Sequence, residues 1–390
     1  MSGAALKVFL VATEDSGDNL GAALMRALAA RSARPVAFSG VGGSAMAAEG
    51  LRPLFPAGEL AIVGIDAVLR KLPLILRRIR DTAAAALAAK PDVMVIIDSP
   101  DFTHRVARRV RAADPRIPIV DYVSPTVWAW RPGRARAMRA YVDHVLAVLP
   151  FEPQAHRDLG GPPCTYVGHP LSERVGALRP NADEARRRAA EPPLLLVLPG
   201  SRGGEVTRLL APFGAAVRLV VERYGPVEVV VPTVPHVAER VRAAVADWPV
   251  PARVALDPAE KDAAFRQARA ALAASGTVTL ELAVAGVPTV VSYKISPIEE
   301  IVGHLLVRIP SIVLANLVLG DNVMPEVLQR RATPENLAAA LLPLLSDTPE
   351  RARQVAAFGR IDAVMEIGGA APSARAAEVV LATAAGAGVP

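Results

Sequence analysis

Carboxylates follow two of the apolar runs in the first half of the chain. Glu14 and Asp18 come after the first run, with Ser16 between them, and Asp98 closes a run of branched aliphatic residues. Partial burial raises the pKa of such a strand-end carboxyl, so Asp98 is a candidate general base, with a turn or capping role as the alternative. N-capping of the following helix is the alternative for Ser16 and Asp18. The acidic cluster suits sugar hydroxyls better than phosphate.

Glycines accompany a serine and an arginine after an apolar run in the second half. Gly200, Gly203 and Gly204 let backbone N–H groups approach an anion. Ser201 adds a hydroxyl donor, and Arg202 can bind a phosphate through two parallel hydrogen bonds. A plain turn is the alternative, but it does not need this combination. The pattern indicates a diphosphate site.

A second turn of small residues follows another apolar run. Ser275, Gly276 and Thr277 open a predicted helix, and Glu281 lies about one turn inside it. A carboxylate there suits the two hydroxyls of a ribose. An N-cap followed by a surface glutamate is the alternative. Small residues for a diphosphate and an acid for a ribose together indicate a nucleotide.

Two of the three tryptophans lie close together after a predicted strand. Trp128 and Trp130 have Pro125 and Arg131 beside them. If buried they would form a structural cluster, and at the end of the strand they would form an aromatic wall for a sugar or an acyl chain. The sequence leaves both interpretations open.

A segment rich in branched aliphatic and basic residues covers positions 62–79. One interpretation is a core helix with a solvated basic face. The other is an interfacial helix with its apolar face in lipid and its arginines on lipid phosphates. The residues expected at such a membrane contact are Val68, Leu69, Arg70, Leu72, Leu76 and Arg77.

Short apolar runs alternate with longer amphipathic segments, which is the pattern of parallel sheets flanked by helices. The strands predicted in the first half are 7–12, 35–39, 93–98, 117–123 and 144–149. Those predicted in the second half are 194–198, 227–231, 253–256, 270–274 and 289–293. Ligands of such sheets bind beyond the carboxyl ends of the strands, where the polar residues above lie. A boundary near residue 170 divides the chain into two open α/β domains.

Composition excludes several classes of protein. With 390 residues, 52% of them hydrophobic, the chain is too long for one ordinary domain and too apolar for disorder. The single cysteine, Cys164, excludes a disulfide scaffold. The six histidines show no metal-ligand spacing, so we expect no metal. Gly40-Val-Gly-Gly43 lacks the dinucleotide spacing after the first strand, which disfavours an NAD-dependent oxidoreductase.

Charge and hydropathy bear on location. The net charge of +6 permits contact with nucleic acid or with an anionic membrane. The apolar run near the N-terminus is too short for a signal peptide. The apolar window 301–320 is interrupted by His304, Arg308, Pro310 and Asn316, which disfavours a membrane-spanning helix. We therefore expect a cytoplasmic protein whose membrane contact, if any, is peripheral.

Seven segments together resemble the lipid-A-disaccharide synthase family. They are 14–18, 91–102, 122–131, 149–152, 167–169, 198–204 and 274–277. The paired tryptophans and the Pro-Gly-Ser-Arg-Gly run are the most specific. The resemblance implies a GT-B glycosyltransferase, an α/β fold of two Rossmann-like domains with parallel sheets facing an interdomain cleft and a C-terminal helix crossing back to the first. The implied division is 1–170 for the acceptor, 171–350 for the UDP-sugar, and 351–390 packing back.

The resemblance also implies a reaction and the residues for it. UDP-2,3-diacylglucosamine and 2,3-diacylglucosamine 1-phosphate would give a β-1',6-linked disaccharide and UDP with inversion, without a metal or other cofactor. Asp98 would be the base. The implied donor-binding residues are Ser201, Arg202, Ser275, Gly276, Thr277, Glu281 and Asn316, and those on the sugar or acceptor side are Glu14, Ser16, Asp18, Trp128 and Trp130. Thr13 and Ala315 stand where the family often has glycine and proline.

The implied partners are acylated glucosamine substrates and the cytoplasmic face of the inner membrane, in lipopolysaccharide biosynthesis. Nucleic acid is not expected, and a homodimer is left open. The segment 62–79 is then favoured as the dock for acylated substrates. Rival interpretations are a UDP-N-acetylglucosamine 2-epimerase or MurG-like transferase on the same fold, and a non-catalytic UDP-sugar or lipid-binding module.

Overall fold

A computed structural model describes residues 4–56, 59, 65–248, 250–296, 300 and 309–386, with the backbone alone at 65–70. The chain divides into two compact units. The first contains Met1–Ser172 and Gly368–Pro390, and the second contains Glu173–Ile367. The α/β class predicted from the sequence is confirmed, since each unit holds a parallel sheet with helices.

The first unit is built on a six-stranded parallel sheet with the order β2-β1-β3-β4-β5-β6. Its strands are β1 (Leu6–Ala12), β2 (Val36–Val41), β3 (Val93–Ile97), β4 (Ile119–Tyr122), β5 (His144–Ala147) and β6 (Cys164–Tyr166). Its helices are α1 (Asp15–Arg31), α2 (Ser44–Ala48), α3 (Ile65–Ala89), α4 (Pro100–Ala113), α5 (Gly133–Met138) and α6 (Glu152–Asp158). A 3-10 helix, Pro170–Arg174, follows them.

The second unit holds a six-stranded parallel sheet with the order β12-β11-β10-β7-β8-β9. Its strands are β7 (Leu194–Leu198), β8 (Glu228–Pro232), β9 (Ala252–Ala255), β10 (Ala270–Ala274), β11 (Thr289–Tyr293) and β12 (Glu326–Leu328). Its helices up to β11 are α7 (Val175–Leu178), α8 (Ala182–Ala189), α9 (Gly203–Tyr224), α10 (Ala238–Ala246), α11 (Pro258–Gln267) and α12 (Val278–Val284). Those after β11 are α13 (Leu314–Leu319), α14 (Pro334–Leu345), α15 (Pro349–Phe358) and α16 (Ile361–Val364), with 3-10 turns at Pro235–Val237 and Gln329–Arg331.

The central strands are buried over their whole length. Every residue of β3, β7 and β10 is buried. Helices on both faces leave no solvated side for a polar residue, which explains why these strands are continuous apolar runs without alternation. Among the described strands, β6 and β12 were not predicted, because each has three residues and stands at the edge of its sheet.

The last helix, α17 (Pro372–Ala384), belongs to the first unit and packs on α1. The sequence-based division assigned the whole of 351–390 to a segment packing on the first domain. That assignment was too long, because residues up to Ile367 belong to the second unit. Helix α15, which begins at Pro349, packs within the second unit. Its Gln354 side chain accepts a 2.8 Å hydrogen bond from the Thr289 amide.

Candidate active site

The first sheet has a topological switch point at β1, where the order in which strands are added changes from one side to the other. From β1 the chain goes to β2 on one side and then to β3 on the other. The crevice beyond the carboxyl ends at such a point is where open α/β sheets bind ligands. Glu14 follows β1 and Asp98 follows β3, so the fold brings the two predicted carboxylates to one place.

Asp98 and Ser99 hold an unusual backbone conformation. Their φ angles are 53° and 45°, a region that residues other than glycine seldom adopt and that costs about 1–3 kcal/mol at each position. The Ser99 amide donates to Asp98 Oδ1 at 2.7 Å, and the Ser99 hydroxyl donates to Glu14 Oε1 at 2.8 Å. Strain of this kind is concentrated at functional sites.

Burial raises the pKa of Asp98 above its ordinary value. The negative charges of Glu14 and Asp121 raise it further, while hydrogen bonds from the Ser99 amide and the Ser16 side chain lower it. Glu14, Ser16 and Asp98 therefore share one electrostatic environment. A carboxyl with a raised pKa holds a proton more strongly and is better suited to accept one.

Asp18 has a different role from the one predicted. It was expected to cap its own helix or to line the sugar side. Its side chain is instead buried and accepts hydrogen bonds from the amides of Gly43, Ala45 and Met46 at 2.7, 2.8 and 3.1 Å. These amides begin α2, whose orphan N–H groups need an acceptor. Asp18 therefore caps α2, and α1 begins after Glu14 without a side-chain cap.

The tryptophans lie in the segment that follows β4. The Trp128 indole is partly buried, donates to Glu152 Oε1 at 3.2 Å and packs edge-on against Phe151. The Arg131 guanidinium lies over the Trp130 ring, 4.4 Å from its centroid. Both tryptophans are intermediate in exposure, so they form neither a fully buried cluster nor a free surface.

In the second unit the chain changes direction between β7 and β10, which are neighbours. A cavity of about 300 Å³ lies beyond their carboxyl ends. It is lined by both predicted anion-binding turns, so Ser201, Arg202, Ser275, Gly276 and Thr277 are brought together. The position is again the one where such sheets bind ligands.

Glu205 orients the arginine of this cavity. Its side chain is buried and accepts from Arg202 Nη1 at 3.1 Å and from the Arg202 amide at 3.3 Å. The Tyr293 hydroxyl donates to the same carboxylate at 3.1 Å. Gly200, with a φ of +105°, leaves the room that Glu205 occupies, because an added Cβ would lie 2.6 Å from Oε2.

Glu281 is paired with a lysine that the sequence analysis did not single out. Lys261 Nζ lies 2.6 Å from Glu281 Oε2 and 5.2 Å from the centroid of the Phe265 ring. Lys261 also lines the cavity. A single lysine on an amphipathic helix has no recognisable sequence signal. Only the fold shows that Lys261 on α11 lies beside Glu281 on α12.

Two of the predicted donor-binding residues, Ser275 and Asn316, form hydrogen bonds with the backbone of nearby loops. The Ser275 hydroxyl donates to the Ile312 carbonyl at 2.7 Å. Asn316 is buried, donates to the Met324 carbonyl at 2.9 Å and accepts from the amides of Val323 and Met324 at 3.1 and 2.9 Å. Asn316 is not among the residues that line the described cavity, and its amide fixes the loop after α13.

The basic, apolar segment begins outside the described residues and continues into α3. Residues 62–64 lie outside them, and so do the side chains of Val68, Leu69 and Arg70. Leu72 and Leu76 are 40% and 39% exposed, and Arg77 is exposed beside them. Within the described part of the chain, none of the helices has both the length and the apolar character needed to cross a membrane.

Among the described residues, no three His, Cys, Asp or Glu side chains cluster so as to hold a metal ion. Burial raises the pKa of the Cys164 thiol, the direction expected of an unreactive cysteine.

Solved structures share this fold. UDP-GlcNAc 2-epimerase from Neisseria meningitidis, solved with UDP-GlcNAc, aligns with a TM-score of 0.61 at 12% identity, covering 97% of this chain and 98% of that chain. MurG from Acinetobacter baumannii aligns with a TM-score of 0.57 at 16% identity, covering 96% and 99%. The calicheamicin glycosyltransferase CalG4 aligns with a TM-score of 0.57 at 16% identity, covering 98% of each chain. The predicted GT-B fold is thereby confirmed.

Sequence comparisons identify the family. The family model of lipid-A-disaccharide synthetase (LpxB) matches residues 8–377. Lipid-A-disaccharide synthase from Rhodopseudomonas palustris strain HaA2 is 60% identical over 380 residues, covering 97% of each chain. The enzyme of that name from Bradyrhizobium diazoefficiens is 58% identical over 377 residues, covering 97% of this chain and 96% of its own. The chain therefore belongs to the lipid-A-disaccharide synthase family, glycosyltransferases of lipid A biosynthesis.

Proposed function

We propose that the protein transfers 2,3-diacylglucosamine from its UDP derivative to the 6-hydroxyl of 2,3-diacylglucosamine 1-phosphate. The products are a β-1',6-linked tetraacyl disaccharide 1-phosphate and UDP. The donor is α-linked and the product β-linked, so a single displacement inverts the anomeric carbon. Such a step needs a base for the acceptor hydroxyl and a stabilised leaving group.

Asp98 is the proposed base, and its setting is the observation that carries the proposal. It stands at the crevice of the first sheet with a raised pKa and is joined through Ser99 to Glu14. In the step, Asp98 takes the proton of the 6-hydroxyl as the oxygen attacks the anomeric carbon, and the bond to the diphosphate breaks. Glu14 and Ser16 bind sugar hydroxyls on this side.

The second unit is proposed to hold the donor. Arg202, oriented by Glu205, binds the diphosphate together with Ser201 and the turn 275–277, and so stabilises the charge that develops on UDP. Glu281 accepts from the ribose hydroxyls. Lys261, now paired with Glu281, is a further cation beside the diphosphate. Asn316 supports the site indirectly, by holding the loop after α13 in place.

The exposed face of α3 is proposed to dock the enzyme peripherally on the cytoplasmic side of the inner membrane, where diacylated substrates reside. Exposed leucines next to arginines provide both apolar burial and attraction to anionic headgroups.

The decisive experiment measures UDP release and product mass with both acylated substrates, for the wild type, Asp98→Asn and Asp101→Asn. Asp101 is a matched control, since it lies 89% exposed in the first turn of α4. We expect tetraacyl disaccharide from the wild type and Asp101→Asn, and a loss of about 10²–10⁴-fold in kcat for Asp98→Asn. The affinity of Asp98→Asn for UDP, measured by calorimetry, should equal that of the wild type.

Other outcomes point elsewhere. A wild type that binds UDP but forms no disaccharide contradicts the reaction. Conversion of UDP-N-acetylglucosamine to its 2-epimer would indicate the epimerase activity. An Asp98→Asn variant with full activity would remove Asp98 from the base role while leaving the transfer itself in place.

A further inference from the structure

Helix α6 carries two buried polar side chains that the proposed reaction does not use. Glu152 is 1% exposed and His156 is 0% exposed. They are four residues apart, so they share one face of the helix. Buried polar groups are costly unless they are satisfied, and their partners therefore indicate what they hold in place.

Both side chains bind the segment 124–131, here called the tryptophan loop. The Trp128 indole donates to Glu152 Oε1 at 3.2 Å, and Ser124 Oγ lies 2.8 Å from His156 Nε2. Phe151, just before α6, packs edge-on against Trp128 with 5.1 Å between ring centroids. One face of α6 therefore holds the loop both at its beginning and at Trp128.

The contacts of His156 define its tautomer. The Ser124 hydroxyl donates to the Pro125 carbonyl at 3.0 Å, so its oxygen accepts the proton on His156 Nε2. Nδ1 is then unprotonated, and it has no hydrogen-bond partner among the described residues. Burial lowers the pKa of His156, which agrees with a neutral ring. A Cβ on Gly161 would lie 2.4 Å from Nδ1, so glycine there leaves room for the imidazole.

Glu152 has a protonation equilibrium near neutrality. Burial raises the pKa of Glu152 to about 7, although hydrogen bonds from the Leu149 and Val148 amides and from Trp128 lower it. The charge of Asp121 on β4 raises it further, and Cys164 on β6 faces it with a thiol that stays protonated. On α6 itself, His156 is neutral.

Ionisation of Glu152 decides how well it holds the indole. The carboxylate accepts from Trp128 through Oε1 and from the Leu149 amide through Oε2, at 3.0 Å. A protonated carboxyl places a hydrogen on one of these oxygens, against an N–H donor, and weakens one of the bonds. The Leu149 amide belongs to the backbone, whereas the indole is held by this hydrogen bond and by Phe151, so we expect protonation to loosen Trp128.

We propose that Glu152 and His156 are positioning residues that fix the Trp128 indole as a contact surface for the acceptor, and that ionised Glu152 is the form that fixes it. The inference rests on the proposed function, because the resemblance that implies this reaction also implies that Trp128 lies on the acceptor side. It assigns roles to two residues that lie too deep to touch substrate.

Fluorescence isolates the positioning step. In a full-length chain carrying Trp130→Phe and Trp248→Phe, Trp128 is the single remaining tryptophan and is excited selectively over the tyrosines. We expect its emission to titrate with a midpoint near pH 7, and to be flat across the same range after Glu152→Gln. Emission that is independent of pH in the parent, or that titrates equally after Glu152→Gln, would overturn the inference.

Kinetics then test the link to the acceptor, in chains with all tryptophans present. As pH falls below 7 the acceptor KM of the wild type should rise about 5–10-fold, the loss of one such hydrogen bond, while the donor KM stays constant. In Glu152→Gln the acceptor KM should not change with pH. The pH dependence of kcat that arises from ionisation of Asp98 should remain. Asp158→Asn, on the exposed side of α6, is the matched control.

A second pair of variants protects the test against misfolding. His156→Gln keeps an N–H donor near the Nε2 position, whereas His156→Ala removes it. We expect His156→Gln to retain more of the acceptor affinity than His156→Ala. Equal acceptor KM in both would contradict the role of His156. Titrating fluorescence with an unchanging acceptor KM would refute the placement of Trp128 at the acceptor, while a failure of the transfer reaction itself would appear already as absent disaccharide.

Discussion

The hydroxyl of Ser99 donates a 2.8 Å hydrogen bond to the carboxylate of Glu14. This bond joins the residues that follow two neighbouring strands, β1 and β3. Because the Ser99 amide also donates to Asp98, one serine orients both carboxylates of the crevice.

Replacing Glu14 by Gln should shift the pH dependence of activity. The negative charge of Glu14 contributes to the raised pKa of Asp98, so its removal lowers that pKa. Since Asp98 must be ionised to accept a proton, the acid limb of the kcat profile should move to lower pH. A pH–rate series for wild type, Glu14→Gln and the exposed control Asp15→Asn tests this. An acid limb that moves upward would contradict the assignment.

Replacing Arg202 by Ala should weaken donor binding. A charge-assisted bond is worth about 1.5–3 kcal/mol, which corresponds to a rise in the donor KM of about 10–100-fold. The acceptor KM should change little. Arg218→Ala is the control, because Arg218 lies on α9, the helix that Arg202 precedes, is exposed and does not line the cavity. Equal effects of the two variants on UDP affinity by calorimetry would remove Arg202 from the donor site.

Gly200→Ala should cost both stability and donor affinity. Its φ of +105° disfavours any side chain by about 1–3 kcal/mol, and the new Cβ would displace Glu205 and hence Arg202. Gly225→Ala separates the two effects, because Gly225 has a φ of +114° and nothing within 4 Å of an added Cβ. Both variants should lower Tm, but only Gly200→Ala should raise the donor KM.

The double variant Leu72→Glu with Leu76→Glu should reduce binding to vesicles that contain anionic lipid. Two carboxylates would replace apolar surface on a helix face proposed to enter the interface, and they would repel anionic headgroups. Val355→Glu is the control, since Val355 is 45% exposed and lies in the second unit. Co-sedimentation that falls equally for both proteins would argue against docking through α3.

Among the described strands, the sequence predicts the central ones and the edge strands β2 and β9, but it misses the edge strands β6 and β12. The runs 194–198 and 270–274 coincide with β7 and β10, because strands covered on both faces are mostly apolar. The run 289–293 coincides with β11, whose buried Thr289 and Ser292 hydroxyls donate to backbone carbonyls. The edge strands β6 and β12 are short and only partly buried, so composition does not separate them from loops.

Residue type predicts which side chains are suited to chemistry but not which partner each one meets. Asp18 and Asn316 look like site residues in the sequence, yet backbone amides use up their side-chain oxygens. Lys261 and Glu152 had no predicted role. Lys261 pairs with Glu281 on another helix, and Glu152 accepts from Trp128 in the loop after β4, and neither contact can be recognised from the sequence alone. Such contacts depend on tertiary packing.

The packing of α17 on α1 has a consequence for the order in which the protein can fold during synthesis. Met25 and Leu28 of α1 are buried in a unit that the ribosome finishes only with residues beyond 372. The second unit, continuous from Glu173 to Ile367, is complete earlier. The second unit can therefore fold before the first has its last helix, and the apolar face of α1 stays without this cover until the residues beyond 372 have been synthesised.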